Sequence, residues 1–385
     1  MEIQKIFSHI EENTERYVKF LADICGFEAT ARDKKTLDAL SDFITDFAEN
    51  EGFSTRRVPF AQCGDFLVVE MNKDAADKGA VFLSHLDTVH EKGVFGSPAV
   101  RVEGDRMIGP GTIDCKGGVA ISLLTMLALK KEGYQKHLKL LLTTDEEISN
   151  VLGGEQEQQF FREEVAGFPM ALNGEVANTG EVTTSRKGIL RFEVTVIGKG
   201  GHAGISYFET VNPVLEAAHK IIALQACSVR GGTTYSCNVV HAGSVSNVIP
   251  DECTFTVDVR VCKRAEMDTA DRRVREICAK SFLGGTDARV IRLGMRPPME
   301  PSADTDALFA RLAEIGREYA LEELTPVASG GGSDSAYTQA AGVTSLCGLG
   351  GCGAFCHTSR EYIEIPSVPR RAKLLAALLA KGENK

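Results

Sequence analysis

Five residues of metal-ligating type are spaced along the chain: His85 in SHLDTV, Asp114 in GPGTIDCKGG, Glu147 in TTDEEIS, Glu175 in LNGE and His357 in AFCHTS. Imidazole and carboxylate donors without thiolate suit zinc, with manganese or cobalt as alternatives. Two imidazoles and three carboxylates can hold two divalent ions if one carboxylate is shared. Such a pair lowers the pKa of water and polarises a carbonyl, which is the chemistry of amide hydrolysis. Glu146 precedes Glu147 at the exit of an apolar run. Neighbouring residues there face different ways, so one can bind metal while the other acts on the water as general base. Asp87 completes H-x-D with His85 and is spaced to hold the second ring nitrogen. Singly, each motif also describes an exposed His, an acidic turn or a solvated loop; taken together they would need five coincidences.

The elements that must position these residues follow from hydrophobic pattern. Each candidate lies at or just past a short apolar run, VFLS before His85, LKLLLTT before Asp145-Glu146-Glu147 and MAL before Asn173-Gly174-Glu175. In an open α/β sheet that places all five in the crevice beyond the carboxyl ends of the strands. With the helical stretch GVAISLLTMLALKKEG between the runs, βαβ units and a mainly parallel sheet are predicted. Ile3, Ile6, Phe7, Ile10, Tyr17, Val18 and Leu21 recur at helical spacing and predict an amphipathic first helix.

The pattern changes near residue 182. ILRFEVTVIG, TVNPVLEAAHKIIAL, TTYSCNVV, CTFTVDVRV, AEMDTADRRVREICAKSF and ARVIRL read in turn as β-α-β-β-α-β, the split ferredoxin-like order, complete in itself. Pro297 and Pro298 suggest an exit linker. Residues 183–296 are therefore expected to form an inserted α+β domain, and 1–182 with 297–385 the catalytic domain. The last part, a helix at DTDALFARLAEIGREYAL, a loop at ASGGGSDSAY and a final helix at SVPRRAKLLAALLAK, must return to the same sheet if His357 is to be a ligand.

Composition narrows the partners. The chain has 385 residues and a formal net charge of −10, with no Lys/Arg block, so nucleic acid and anionic membrane are excluded as expected partners. No apolar run approaches the ~20 residues of a membrane span. Acidic residues interrupt MEIQKIFSHIEENTERYVKFL where a signal peptide would need its apolar core, and a cytoplasmic location is expected. The 11 cysteines include no CxxC pair, which favours reduced thiols over a disulfide or zinc-finger framework. No G-x-x-x-x-G-K-[ST] is present, and neither GKGGHAG nor SGGGSDSA fits a dinucleotide-binding fingerprint.

SHLDTVH, GPGTIDCKGG, TTDEE, NGE, GKGGHAG, SNVIPDE, DVR, GGGSDSAY and the late His357 resemble the aminoacylase/carboxypeptidase family of co-catalytic zinc peptidases. SVSNVIP, DVR, GGGSDSAY and PSVPRR look most like its zinc glutamate carboxypeptidases. The resemblance implies a zinc-peptidase catalytic domain with a dimerising lid, and two zinc ions per chain. Asp114 would bridge them, His85 and Glu175 completing one and Glu147 and His357 the other. Glu146 would be the general base, Asp87 would orient His85, and His202 would reach the neighbouring subunit's site to hold the oxyanion. Arg260, Asn247, Gly331 and Ser333 would bind substrate, a peptide or N-acyl amino acid, with C-terminal glutamate released. The pattern departs at His90, where Pro is common, and at Cys115, where Met or Asp is usual. The alternatives are an N-acyl amino acid deacylase, a succinyl-diaminopimelate desuccinylase, or a metal-binding homologue without activity.

Overall fold

The computed structural model describes residues 1–382 and divides into two compact units. One holds Met1–Ser185, Pro301–Ser329 and the chain from Ser333 onward; the other holds Arg186–Glu300 with Gly330–Gly332.

The larger unit is built on a six-stranded mixed sheet. Its order is Ser54–Val58, Phe66–Met71, His137–Thr143, Lys78–His85, Met170–Asn173 and Thr344–Leu346. The first two pairings are antiparallel and the last three parallel. Its four inner strands are largely apolar on both faces because both faces are covered. Leu67, Val69, Phe82, Leu138, Leu140 and Leu142 join a core with the helices Ile3–Cys25, Lys116–Lys131 and Ser367–Lys381. Val68, Val81, Leu83 and Leu141 turn the other way, onto Phe160, Phe161 and Tyr337. The helix Lys116–Lys131 is buried along almost its whole length, as its unbroken apolar sequence requires. In the first helix Ile6, Phe7, Ile10, Tyr17 and Leu21 are buried as the helical spacing predicts.

The return of the late segment takes a different route from the one expected. Thr344–Leu346 does join the main sheet beside Met170–Asn173. His357, however, lies in the turn between Gly353–Ala354 and Tyr362–Glu364, in a separate four-stranded antiparallel sheet with Arg106–Ile108 and Arg101–Glu103. Asp114 likewise lies in the loop ahead of the helix Lys116–Lys131, so only His85, Glu146, Glu147 and Glu175 are strand-end residues. The stretch expected as the loop ASGGGSDSAY is part strand, Thr325–Ser329, and part helix, Ser335–Ala340.

The smaller unit is a four-stranded antiparallel sheet in the order Thr234–Ala242, Glu252–Val261, Gly188–Ile197, Asp287–Arg296. The helices Pro213–Gln225 and Met267–Ala279 cover it, around Phe192, Val194, Phe255, Val257 and Val259. This is the ferredoxin-like β-α-β-β-α-β arrangement. Arg186 and Met299 exchange backbone hydrogen bonds of 2.8 and 3.0 Å, so the chain enters and leaves the unit side by side. Pro298 packs at Gly188 and is part of this unit, not a linker. Glu216, itself fully buried, forms an ion pair with Lys220 at 2.6 Å and accepts the N–H groups of Phe282 and Leu283, tying the first helix to the turn after the second.

Candidate metal centre

Sheet register brings three of the candidates side by side. His85 ends its strand opposite Thr143, and Leu83 lies opposite Asn173, so Glu175 and His85 both fall two residues further on. The chain after Thr143 turns at once into the short 3₁₀ helix Glu146–Ile148. The strand with His85 lies between the other two, and their carboxyl ends form one crevice. The helix after Asp114 approaches this crevice very closely. A Cβ on Gly118 would fall 2.2 Å from the Gly174 carbonyl oxygen and 2.6 Å from Ser84 Oγ, so only glycine allows the contact.

Asp114 is at the centre of the cluster. One carboxylate oxygen lies 3.2 Å from His85 Nε2 and the other 3.1 Å from His357 Nε2. Glu175 approaches the first imidazole at 3.8 Å and Glu147 the second at 3.3 Å. The ligating atoms of His85, Asp114 and Glu147 lie within 4.8 Å of one another, as do those of His85, Cys115 and Glu175. Cys115 was not among the candidates; its Sγ accepts the backbone N–H of His85 at 3.1 Å. The Asp114–Cys115 peptide is cis. His357 is the exposed member, its side chain 54% accessible against 10% for Asp114, so the cluster opens to solvent on that side.

The second nitrogen of His85 fixes the plane of the ring. Nδ1 donates to the Asp87 carbonyl at 3.0 Å, which directs Nε2 at Asp114. The Asp87 carboxylate is farther from that nitrogen, at 3.4 Å. It accepts instead the backbone N–H groups of Glu146 at 3.3 Å and Glu147 at 3.0 Å, and so holds the turn that carries both acids. Asp145 braces the same turn from the other side, accepting N–H bonds from Leu152 and Gly153.

So many buried acids repel one another. Burial, and then Asp114, push the Glu147 carboxyl up to about 8 against the opposing His357. Burial also pushes Asp145 up to about 6, with Asp87 and Asp334 adding to it against the Gly153 hydrogen bond. Asp114 and Glu147 raise the His357 imidazole to about 11, against burial. Burial opposes the charged form of Asp114 too, but His357 and His85 outweigh it and hold the carboxyl well below its usual range. A site this short of positive charge, with mixed N/O donors converging on one shared carboxylate, fits divalent cations.

The remaining predicted residues are distributed between the units. Ser333 is buried in the larger unit. His202, Asn247, Arg260 and Gly331 belong to the smaller one. His202 and Asn247 are exposed, and His202 Nδ1 accepts the N–H groups of Gly204 and Ile205. Arg260 makes a two-pronged pair with Asp258 at 2.6 and 3.0 Å and donates to the Gly330 carbonyl at 3.3 Å. Three residues at the centre escaped the sequence reading. Asp334 accepts from Thr143 at 2.7 Å and Asn150 at 3.1 Å, fixing the strand end. His90, assigned to a loop, pairs with Glu361 at 2.7 Å in the interior. The acid in GGGSDSAY was the one local signal for Asp334; HTSREY held none for Glu361.

A sequence profile of peptidase family M20/M25/M40 matches residues 81–381. Carboxypeptidase G2 of Pseudomonas sp. (strain RS-16) is 29% identical over 386 residues, covering 97% of this chain and 91% of that protein. A succinyl-diaminopimelate desuccinylase of Rickettsia felis is 24% identical over 282 residues, covering 68% and 73%. Among solved structures, a tripeptidase from Staphylococcus aureus has the same fold, with a TM-score of 0.78 at 20% identity over 97% of this chain and 99% of that one.

Proposed function

The chain belongs to peptidase family M20/M25/M40, and from that premise we propose that it hydrolyses the amide bond beside a free α-carboxylate, releasing a C-terminal amino acid, with glutamate the leading candidate. Membership makes it a metallopeptidase or a related amidohydrolase; the substrate is the proposed part. Asp114 supports the proposal most directly, because its two carboxylate oxygens face His85 and His357 separately. In the proposed centre Asp114 would be shared by two zinc ions, with His85 and Glu175 available to hold one and Glu147 and His357 the other. Two such ions would polarise the scissile carbonyl and lower the pKa of water.

Glu146 is assigned the proton. It is buried beside Glu147, on the turn that Asp87 holds, and takes the proton of the attacking water before delivering it to the leaving amine. His202 is assigned the developing oxyanion across a dimer interface. Arg260, Asn247, Gly331 and Ser333 are assigned the substrate. A guanidinium is a planar fork matched to a carboxylate, and Asp258 fixes the plane of Arg260. Exposed Val214, Leu215 and Ile222 on one helix of the smaller unit, with Val239 and Val240 on its edge strand, support a homodimer through that unit. No helix among the described residues is long and apolar enough to cross a membrane. All eleven cysteines are free, which supports a reducing, cytoplasmic setting.

The desuccinylase relative favours a second candidate, an N-acyl amino acid or succinyl-diaminopimelate substrate on the same centre. The complete donor set and the buried Glu146 argue against an inactive homologue. Zinc-loaded protein assayed against paired peptidyl-glutamate substrates, free acid and C-terminal amide, tests the proposal. Cleavage of the free acid alone is expected. Equal cleavage of both forms would overturn the carboxypeptidase assignment, and cleavage of N-succinyl substrates alone would favour the second candidate.

A further inference from the structure

Glu361 is 1% exposed and uses both carboxylate oxygens. Oε1 accepts the backbone N–H groups of Ile113 at 3.0 Å and Asp114 at 3.2 Å. Oε2 takes the Nε2–H of His90 at 2.7 Å. Its main chain is equally engaged: the carbonyl accepts from Gly109 at 3.2 Å, and the N–H donates to Thr358 at 3.0 Å. His90 is in turn fixed by its N–H to Thr88 Oγ at 2.9 Å and by its ring, edge-on to Phe95 at 4.9 Å.

One buried carboxylate therefore joins three stretches of chain that are remote in sequence: 85–90, 109–114 and 357–361. Each carries one candidate ligand, namely His85, Asp114 and His357. His85 and His357 approach Asp114 only through its two carboxylate oxygens, at 3.2 and 3.1 Å, so a small rotation of the Asp114 backbone would spoil both contacts. Sites of this kind tolerate errors of only about 0.5 Å. Hydrogen bonds from backbone N–H to an ionised acceptor are roughly twice as strong as neutral ones, and a buried, fully used carboxylate cannot drift.

We infer that Glu361, held by His90, is a positioning residue of the metal centre, setting Asp114 and His357 at the spacing that two ions need. This rests on the dinuclear centre proposed above. Glu361 touches neither substrate nor ion; it acts through the Asp114 backbone and the turn that it shares with His357.

The test uses the full chain as wild type, Glu361→Gln, Glu361→Ala and His90→Ala. Zinc affinities are read by competition with a chromophoric chelator, the visible spectrum of the cobalt-saturated protein reports coordination, and melting of the metal-free proteins reports stability. Glu361→Gln keeps the shape and one acceptor oxygen but loses the charge. It should weaken binding of at least one ion by about 10- to 100-fold, the usual effect of removing a group that supports a ligand. It should also change the cobalt band at saturation. His90→Ala should move both readouts in the same direction and by less. If Glu361→Ala fails to fold, Glu361→Gln carries the result. A purely structural role would lower the melting temperature and leave affinity and spectrum unchanged, and that outcome overturns the inference while the dinuclear centre stands. Wild type that takes up no divalent ion overturns the centre and the inference together.

Discussion

Replacing Asp87 with alanine should damage the turn at Glu146 and Glu147 more than it damages His85. The Asp87 carboxylate is completely buried and accepts the N–H groups of both residues, at 3.3 and 3.0 Å. A buried donor left without a partner costs about 1–3 kcal/mol, so two of them cost about 2–6 kcal/mol in the larger unit. His85 is a different case, because its Nδ1 hydrogen goes to the Asp87 carbonyl, which every substitution retains. Asp87→Asn keeps one acceptor oxygen and should lose roughly half as much. Urea unfolding gives the stability change, and amide exchange over residues 143–150 reads the two bonds directly. Because the turn carries the assigned base and one ligand, kcat/KM should fall by about 10- to 100-fold. Unchanged exchange in that segment, with stability within about 0.5 kcal/mol of wild type, would refute this account of Asp87.

Glu146→Ala should abolish turnover, by at least the 10²–10⁴-fold that a positioned base typically contributes, while metal analysis stays near two divalent ions per chain. Glu147→Ala should lose metal as well, and a chelator should inactivate the wild type; an active Glu146→Ala protein would contradict the assignment. In the smaller unit, burial pushes the Glu216 carboxyl up, but Lys220 and the N–H groups of Phe282 and Leu283 outweigh it and hold the pKa below its ordinary value. A depressed folded pKa means stability that is present above the unfolded pKa of about 4.3 and lost as pH falls through the folded one. Glu216→Gln should flatten that acid limb in pH-dependent melting; an unchanged limb would exclude Glu216 as its source. Mixing inactive His202→Ala with inactive Glu146→Ala chains should restore partial activity if His202 acts across a dimer, and a fully active monomer in sedimentation would refute it.

The proposed donor set could be drawn from the sequence because its local grammar is strong. A strand that ends in His85, another that runs straight into three acids, and a glycine pair at a helix start are all written within a few residues. The split order of the smaller unit was equally readable, since each of its strands is ten or nine residues long and the two inner ones, Gly188–Ile197 and Glu252–Val261, alternate cleanly. What could not be read is pairing between short elements. The strands Arg101–Glu103, Arg106–Ile108 and Tyr362–Glu364 are three residues each, too short to carry a period, and only their mutual pairing makes the sheet that carries His357. For the same reason His90 read as a loop residue: its partner is 271 positions away, and no local spacing announces it. The role expected of Asp87 is a subtler case. An Asp87 oxygen does lie beside His85, but the closer one is the carbonyl, and the carboxylate accepts the N–H groups of Glu146 and Glu147 in the turn.

The two units also differ in when a growing chain can complete them. Apart from Gly330–Gly332, the smaller unit is one continuous stretch, Arg186–Glu300, and all four strands of its sheet are available once that stretch has been made. The larger unit must wait. Its helix Ile3–Cys25 and its buried helix Lys116–Lys131 share a core with Ser367–Lys381, and its sheet lacks an edge until Thr344–Leu346 arrives. During synthesis the earlier apolar faces stay uncovered, while the insertion between them can already be folded. His357 is made after the other four proposed ligands, so the proposed cluster cannot close until the chain has passed that residue. An ion that meets the nascent chain earlier would find only His85, Asp114, Glu147 and Glu175, an acid-rich and incomplete set.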